Sequence, residues 1–117
     1  MRRTMIGAAM ALALLAAPAV AATHCADAGH PYDEQNPFAR LLRHEASAPV
    51  VYEDAHVIAF MPLRMTSPGH VLVISKVSCA RDITELEPAE LTRVMALVQK
   101  IAKADIAVLH ADGVNVR

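Results

Sequence analysis

The chain has 117 residues, 55% of them hydrophobic and only 3% aromatic, with a formal net charge of −1. Such a balance supplies no basic field for nucleic acid and no basic–aromatic interleaving on which bases could stack. With no Trp, two Tyr and two Phe, sugar-binding platforms built from aromatic rings are excluded as well.

The amino terminus reads as an export signal. Arg2 and Arg3 form a positive start, Ile6 to Ala17 is a run of small apolar residues, and Ala19-Val20-Ala21 is a small-x-small cleavage site. A run this short does not cross a bilayer core of about 30 Å. Residues 1–21 are therefore expected to be a signal peptide, cleaved after residue 21 or 22, and the destination to be periplasmic or secreted, with no membrane association after cleavage. Losing Arg2 and Arg3 from 11 basic residues leaves nine against 12 acidic ones, a net charge of −3. The remaining chain is long enough for one core and no more.

Two cysteines, Cys25 and Cys79, then enter an oxidising compartment. They either form one disulfide or remain two free thiols; the compartment permits the first. Cleavage after Ala21 would also leave Ala22-Thr23-His24 at the new amino terminus. A free amine, two backbone amides and a third-position imidazole offer four nitrogens to Cu(II) or Ni(II). A periplasmic metal-binding protein is thus one alternative function.

Residues 22–35 are polar, with Gly29 and Pro31, and read as an extended lead-in. Asn36-Pro37 is a helix start, an Asn cap followed by Pro at the first helical position. Phe38, Leu41 and Leu42 give a short amphipathic helix to about Glu45. Val50-Val51-Tyr52, the turn Glu53-Asp54-Ala55 and the apolar run Val57 to Met61 predict an antiparallel hairpin. Pro62, Ser67, Pro68 and Gly69 mark a loop, after which Val71 to Ile74 is continuously apolar and predicts a central strand covered on both faces. Residues 75–87 read as loop. Pro88 opens a long helix to about Leu109, with Leu91, Val94, Met95, Val98, Ile101 and Ala102 as its buried stripe and Glu90, Arg93, Lys100 and Lys103 on the other side. Val114 to Arg117 predicts the opening of another strand. The class is α+β, with helices on one face of a mostly antiparallel sheet.

From Asn36 to Arg117 the chain resembles the histidine triad (HIT) family of nucleotide hydrolases and transferases. The resemblance rests on Arg43-His44-Glu45, Val51-Tyr52-Glu53-Asp54, Val57 to Phe60, Pro68-Gly69-His70, Val71 to Ile74 and Lys76, in order and at matching spacings. It implies a HIT-like domain over residues 36–117, an antiparallel sheet with one short and one long helix, incomplete at its carboxyl end. It implies a nucleotide held against Phe38, Leu41, Phe60, Met61 and Leu63. It implies that His70 supports the catalytic site by hydrogen bonding without attacking phosphorus. It also implies a homodimer of the complete protein, paired in part through the long helix.

The chain departs from the family pattern at three places. Pro62 stands where an aspartate usually meets the ribose hydroxyls, and Asn36, Ala39 and Ser78 stand where some bacterial members hold zinc. No zinc or other cofactor is expected there, since none of the three is a usual zinc ligand. The family's chemistry needs His-x-His-x-His on a strand, which places imidazoles on one face over the phosphate. None of His24, His30, His44, His56, His70 and His110 makes that pattern, so no catalytic nucleophile is expected within residues 1–117. His44, on a helix end, and His56, in a turn, are expected to face solvent, and His110 to be a charge partner at the end of the long helix. Two functions follow: a HIT-family nucleotide hydrolase or transferase when complete, or a degenerate module that binds a nucleotide or partner without catalysis.

Overall fold

Four consecutive residues, Val57 to Phe60, are buried with at most 4% of their surface exposed. Because side chains alternate across a strand, burial of every residue requires cover on both faces. The computed structural model, which describes Cys25, Gly29 and residues 31–117, supplies that cover from two helices. The elements are α1 (Pro37–Leu42), β1 (Val50–Glu53), β2 (Val57–Phe60), β3 (Leu72–Ser75) and α2 (Pro88–Leu109).

The sheet is antiparallel throughout, in the order β1-β2-β3. Val50 pairs with Phe60, and after an irregularity Tyr52 pairs with Ala59 and Glu53 with Ile58. Across the other edge of β2, Val57 pairs with Ser75, Ile58 with Ile74, Ala59 with Val73 and Phe60 with Leu72. The class is α+β, as the sequence predicts. The helices, however, lie on opposite faces of the sheet. Ile58 and Phe60 pack with Leu41 of α1 and with Leu42, Ala48, Leu72 and Ile74. Val57 and Ala59 pack with Leu97 of α2 and with Tyr52, Val71, Val73, Val94 and Ile101. The strand covered on both faces is therefore β2. Among the described residues β3 is an edge strand, half-buried along its length.

Local chemistry sets the element ends. Asn36 Oδ1 accepts from the N–H groups of Phe38 and Ala39, each at 2.9 Å, and Pro37 fills the first helical position, where no N–H is needed. The helix stops at Leu42 rather than near Glu45 because His44 takes a left-handed φ of 60°, which ends helical propagation. The Arg43 guanidinium then joins the two sides of α1. It donates to both carboxylate oxygens of Glu45 at 2.8 and 3.0 Å, and to a carboxylate oxygen and the carbonyl of Glu34 at 3.0 and 2.7 Å. Helix α2 begins at Pro88 and ends with His110 in the left-handed region at φ 55°. Val114 to Arg117 form no strand and are exposed.

Cys25 and Cys79 are joined in a disulfide with their Cα atoms 5.5 Å apart. The bond ties the lead-in to the loop that follows β3. The signal segment, His24 and His30 lie outside the described residues.

The buried position of α2 is Leu97, 6% exposed, whereas Met95 of the anticipated stripe is 39% exposed. The helix carries two apolar rows: Val94, Leu97 and Ile101 face β2, and Leu91, Met95, Val98 and Ala102 border the open side beside β3. Leu97→Ala should accordingly cost about 2–5 kcal/mol of stability in urea denaturation, and Met95→Ala less than about 1 kcal/mol. Equal losses at the two positions would contradict this facing of the helix.

Candidate functional site

The turn between β1 and β2 is fixed by local chemistry. Asp54 Oδ1 accepts from the N–H groups of His56 at 2.7 Å and Val57 at 2.9 Å, and Tyr52 donates its hydroxyl to Asp54 Oδ2 at 3.1 Å. These donors, the backbone ones first, hold the Asp54 carboxyl below its ordinary value. Lys76 closes the turn from the end of β3, donating to Glu53 Oε1 at 2.5 Å and to the Asp54 carbonyl at 2.8 Å. Glu53, Asp54 and Lys76 thus serve one turn.

Between β2 and β3, Ser67 to His70 make a tight turn closed by the His70 N–H on the Ser67 carbonyl at 3.2 Å. Pro68 sits second and Gly69, at φ 76°, third, the residue pattern of a type II turn. A Cβ on Gly69 would stand 2.7 Å from Leu109 Cδ1 and 3.1 Å from Asp105. The left-handed φ requires the glycine, and the side-chain ends of Leu109 and Asp105 would have to shift to admit a Cβ. The His70 ring is fixed as well: Thr66 donates its backbone N–H to Nδ1 at 3.2 Å, with its hydroxyl 3.4 Å from the same nitrogen. An N–H can only donate, so Nδ1 is the acceptor and the neutral ring carries its hydrogen on Nε2.

His70 borders a cleft of about 1190 Å³ between β3 and α2. Phe38 and Leu42 of α1 reach it, as do Leu72 of β3, Thr66 and Ser67. The residues implied for nucleotide contact are distributed unequally. Phe38 is 46% exposed, its ring 6.2 Å from that of Phe60 and tilted by 52°. Leu41 and Phe60 are buried at 8% and 4% in the core behind it. Met61 is half-buried, and Leu63 is 94% exposed; neither borders the cleft. Phe38 and His70 therefore both border the cleft, and Leu41 and Phe60 lie in the core beneath Phe38. Leu42 follows Phe38 by four residues, so helical spacing signals it. Thr66 precedes His70 in a loop, where no periodicity marks it.

The other histidines divide. His44 and His110 are exposed. His56 does not simply face solvent: its Nδ1 is 3.1 Å from Glu90 Oε1. Glu90, whose side chain is 14% exposed, also meets Arg93 at 3.2 Å and accepts from Ser75 Oγ at 3.2 Å. Glu90 therefore ties the hairpin turn and β3 to α2 instead of lying on an outer face. Among the described residues no group of three or more His, Cys, Asp and Glu is placed to hold a metal ion. Asn36 uses its oxygen as a helix cap, and Ser78 Oγ accepts from the Ala80 N–H at 3.1 Å.

Two measurements check this geometry. Asp54 has a depressed folded value, so its contribution is present above the unfolded value of about 3.9 and fades as pH falls through the folded one. Wild type should exceed Asp54→Asn in urea midpoint at pH 7, with the gap narrowing at pH 3; a gap independent of pH would refute it. Gly69→Ala should lower stability by about 1 kcal/mol or more, because both the φ and the contact oppose a methyl group. An unchanged melting temperature would remove that constraint.

Comparison with known proteins agrees with the fold. The HIT domain model matches residues 43–117. An uncharacterized HIT-like protein of Methanocaldococcus jannaschii is 34% identical over 79 residues, 68% of this chain and 60% of that protein. Another, of Mycobacterium tuberculosis, is 33% identical over 79 residues, 68% of this chain and 54% of that protein. The chain spans about half the length of the curated relatives it matches. Among solved structures, a HIT-like protein involved in cell-cycle regulation from Bartonella henselae superposes with a TM-score of 0.69 at 44% identity, over 74% of this chain and 67% of that one. A zinc-bound histidine triad family protein from Mycobacterium smegmatis superposes with a TM-score of 0.61 at 34% identity, over 67% and 56%. With the Asp54 hairpin turn and the Pro68-Gly69-His70 turn inside the matched residues, the chain belongs to the HIT domain family.

Proposed function

We propose that this chain binds a nucleotide as part of an exported HIT-family protein that, when complete, hydrolyses or transfers nucleoside monophosphates. The observation that carries the reading is that Phe38 and His70 both border one cleft. A half-exposed aromatic ring backed by a buried one gives a nucleobase a dry face to lie on. A histidine whose orientation is set by Thr66 suits a supporting role beside a phosphate. Leu41 and Phe60 stiffen that wall from the core, and Met61 and Leu63 flank the loop that leads to His70.

The chemistry requires an imidazole placed in line with the phosphorus–leaving-group bond and a donor for the departing group. Residues 1–117 contain no His-x-His-x-His, so we assign binding to these residues and the attacking nucleophile to none of them. A second reading is a degenerate module that binds a nucleotide or a partner without catalysis. Export is supported by the signal-like residues 1–21 and by the Cys25–Cys79 disulfide, since such bonds persist in oxidising compartments. A homodimer through α2 is supported by Ile106, Val108 and Leu109, which are 50%, 72% and 47% exposed near its carboxyl end.

Titration of the isotope-labelled chain with adenosine monophosphate tests the binding reading. Shifts should concentrate at Phe38, Leu42, His70 and Leu72, and Phe38→Ala should weaken binding about tenfold, the loss of one base–aromatic contact. The same chain should release no nucleoside monophosphate from phosphoramidates or dinucleoside polyphosphates. Shifts scattered away from these residues would end the pocket assignment. Turnover would show that a catalytic histidine is already present.

A further inference from the structure

An aspartyl peptide bond rearranges when the backbone nitrogen of the next residue reaches the carboxyl carbon. That approach needs a carboxyl group held by nothing else, a backbone free to turn, and a small following residue. The described aspartates are Asp33, Asp54, Asp82, Asp105 and Asp112, and four of them fail these conditions. Asp54 accepts from two backbone N–H groups and from the Tyr52 hydroxyl. Asp82 Oδ1 accepts from the N–H and the hydroxyl of Thr84 at 2.8 and 2.6 Å, and the branched Ile83 follows it. Asp33 Oδ1 accepts from the Gln35 N–H at 2.8 Å. Asp105 lies inside α2, with its carbonyl accepting from the His110 N–H and with Ile106 after it. Asp112 meets all three conditions. It is exposed where the chain bends after α2, and among the described residues nothing donates to its carboxylate. The Gly113 N–H donates to no backbone carbonyl among them. A Cβ on Gly113 would meet nothing within 4 Å, so this bond has both a small partner and open space around it.

We propose that the Asp112–Gly113 bond is a site of spontaneous isoaspartate formation. The Gly113 nitrogen attacks Cγ of the protonated Asp112 carboxyl group. The nitrogen gives up its proton, the carboxyl hydroxyl departs as water, and a five-membered imide closes. Solvent water then opens the ring. Breaking the bond from nitrogen to Cγ restores aspartate. Breaking the bond from nitrogen to the Asp112 backbone carbonyl carbon leaves the main chain running through Cγ and that carbonyl as a free carboxylate. One water leaves and one enters, so the product has the mass and oxidation state of the starting chain. Its main chain is longer by one methylene. Ala111, Gly113 and Val114 border the cleft, so the lengthened segment runs along the cleft wall. The rearrangement is independent of which ligand the cleft takes.

Incubation of the full chain at pH 5 and 37 °C, followed by electron-transfer fragmentation of its peptides, tests the proposal beside a synthetic peptide of residues 108–117. Isoaspartate should accumulate at Asp112 before it appears at Asp33, Asp54, Asp82 or Asp105, preceded by an imide lighter by one water. Its rate in the folded chain should lie within about fivefold of the rate in the peptide, because no local opening has to come first. Asp112→Glu should abolish the product, since the longer side chain closes the ring poorly, and Gly113→Val should suppress it. Greater protection in the folded chain would overturn the proposal. So would isoaspartate arising first at another aspartate, or a Gly113→Val chain that reacts as fast as wild type.

Discussion

Burial of β2 on both faces is the constraint on which this structure depends. A strand of Val57, Ile58, Ala59 and Phe60 has no polar side to turn toward water, so its two neighbours in the sheet and one helix on each face are all needed. Ala59, at 0% exposure, allows α2 to approach closely, and Leu97 occupies the space so made. On the opposite face α1 packs through Leu41, and Phe38 lies at the surface with its ring tilted against that of Phe60. The most exposed aromatic ring beside the cleft is thus a by-product of how the most buried strand is covered.

The two turns, one bordering the cleft and one joining β1 to β2, are held by backbone chemistry. The His70 turn is set by a proline, a left-handed glycine and the approach of Leu109. The hairpin turn is set by one carboxylate accepting two backbone N–H groups and one hydroxyl. Glu90 adds a polar strut between the hairpin, β3 and α2. Side chains carried on such turns are held without help from a large core, which matters where few of the described side chains are buried.

Much of the fold was legible in the sequence where one residue type has one local role. Asn36-Pro37 announces α1, Pro88 announces α2, and the spacing of Val50 to Phe60 announces the hairpin. What was not legible depends on partners distant in sequence. The unbroken apolar run at Val71 to Ile74 signals cover without saying whether it comes from strands or helices, and among the described residues β3 has one strand neighbour, β2. The stripe on α2 was misplaced because the helix is apolar over a wide arc, and only the position of Ala59 selects Leu97. His56 reads as an exposed turn residue until Glu90 arrives from 34 positions away. At the site, the Phe38 and His70 positions followed from the family resemblance, whereas Thr66 could be found only from the geometry of its loop.

The disulfide also bears on how the chain acquires its order. Two cysteines admit a single intramolecular pairing, so an oxidant suffices and no isomerase is needed to correct wrong partners. Everything the bond encloses, α1 and all three strands, lies before Ser78 in the sequence, and α2 lies after it. A chain emerging from its amino end presents both sulfurs before α2 has emerged. The cross-link is therefore available to a nascent sheet that still lacks the helix destined to cover its second face.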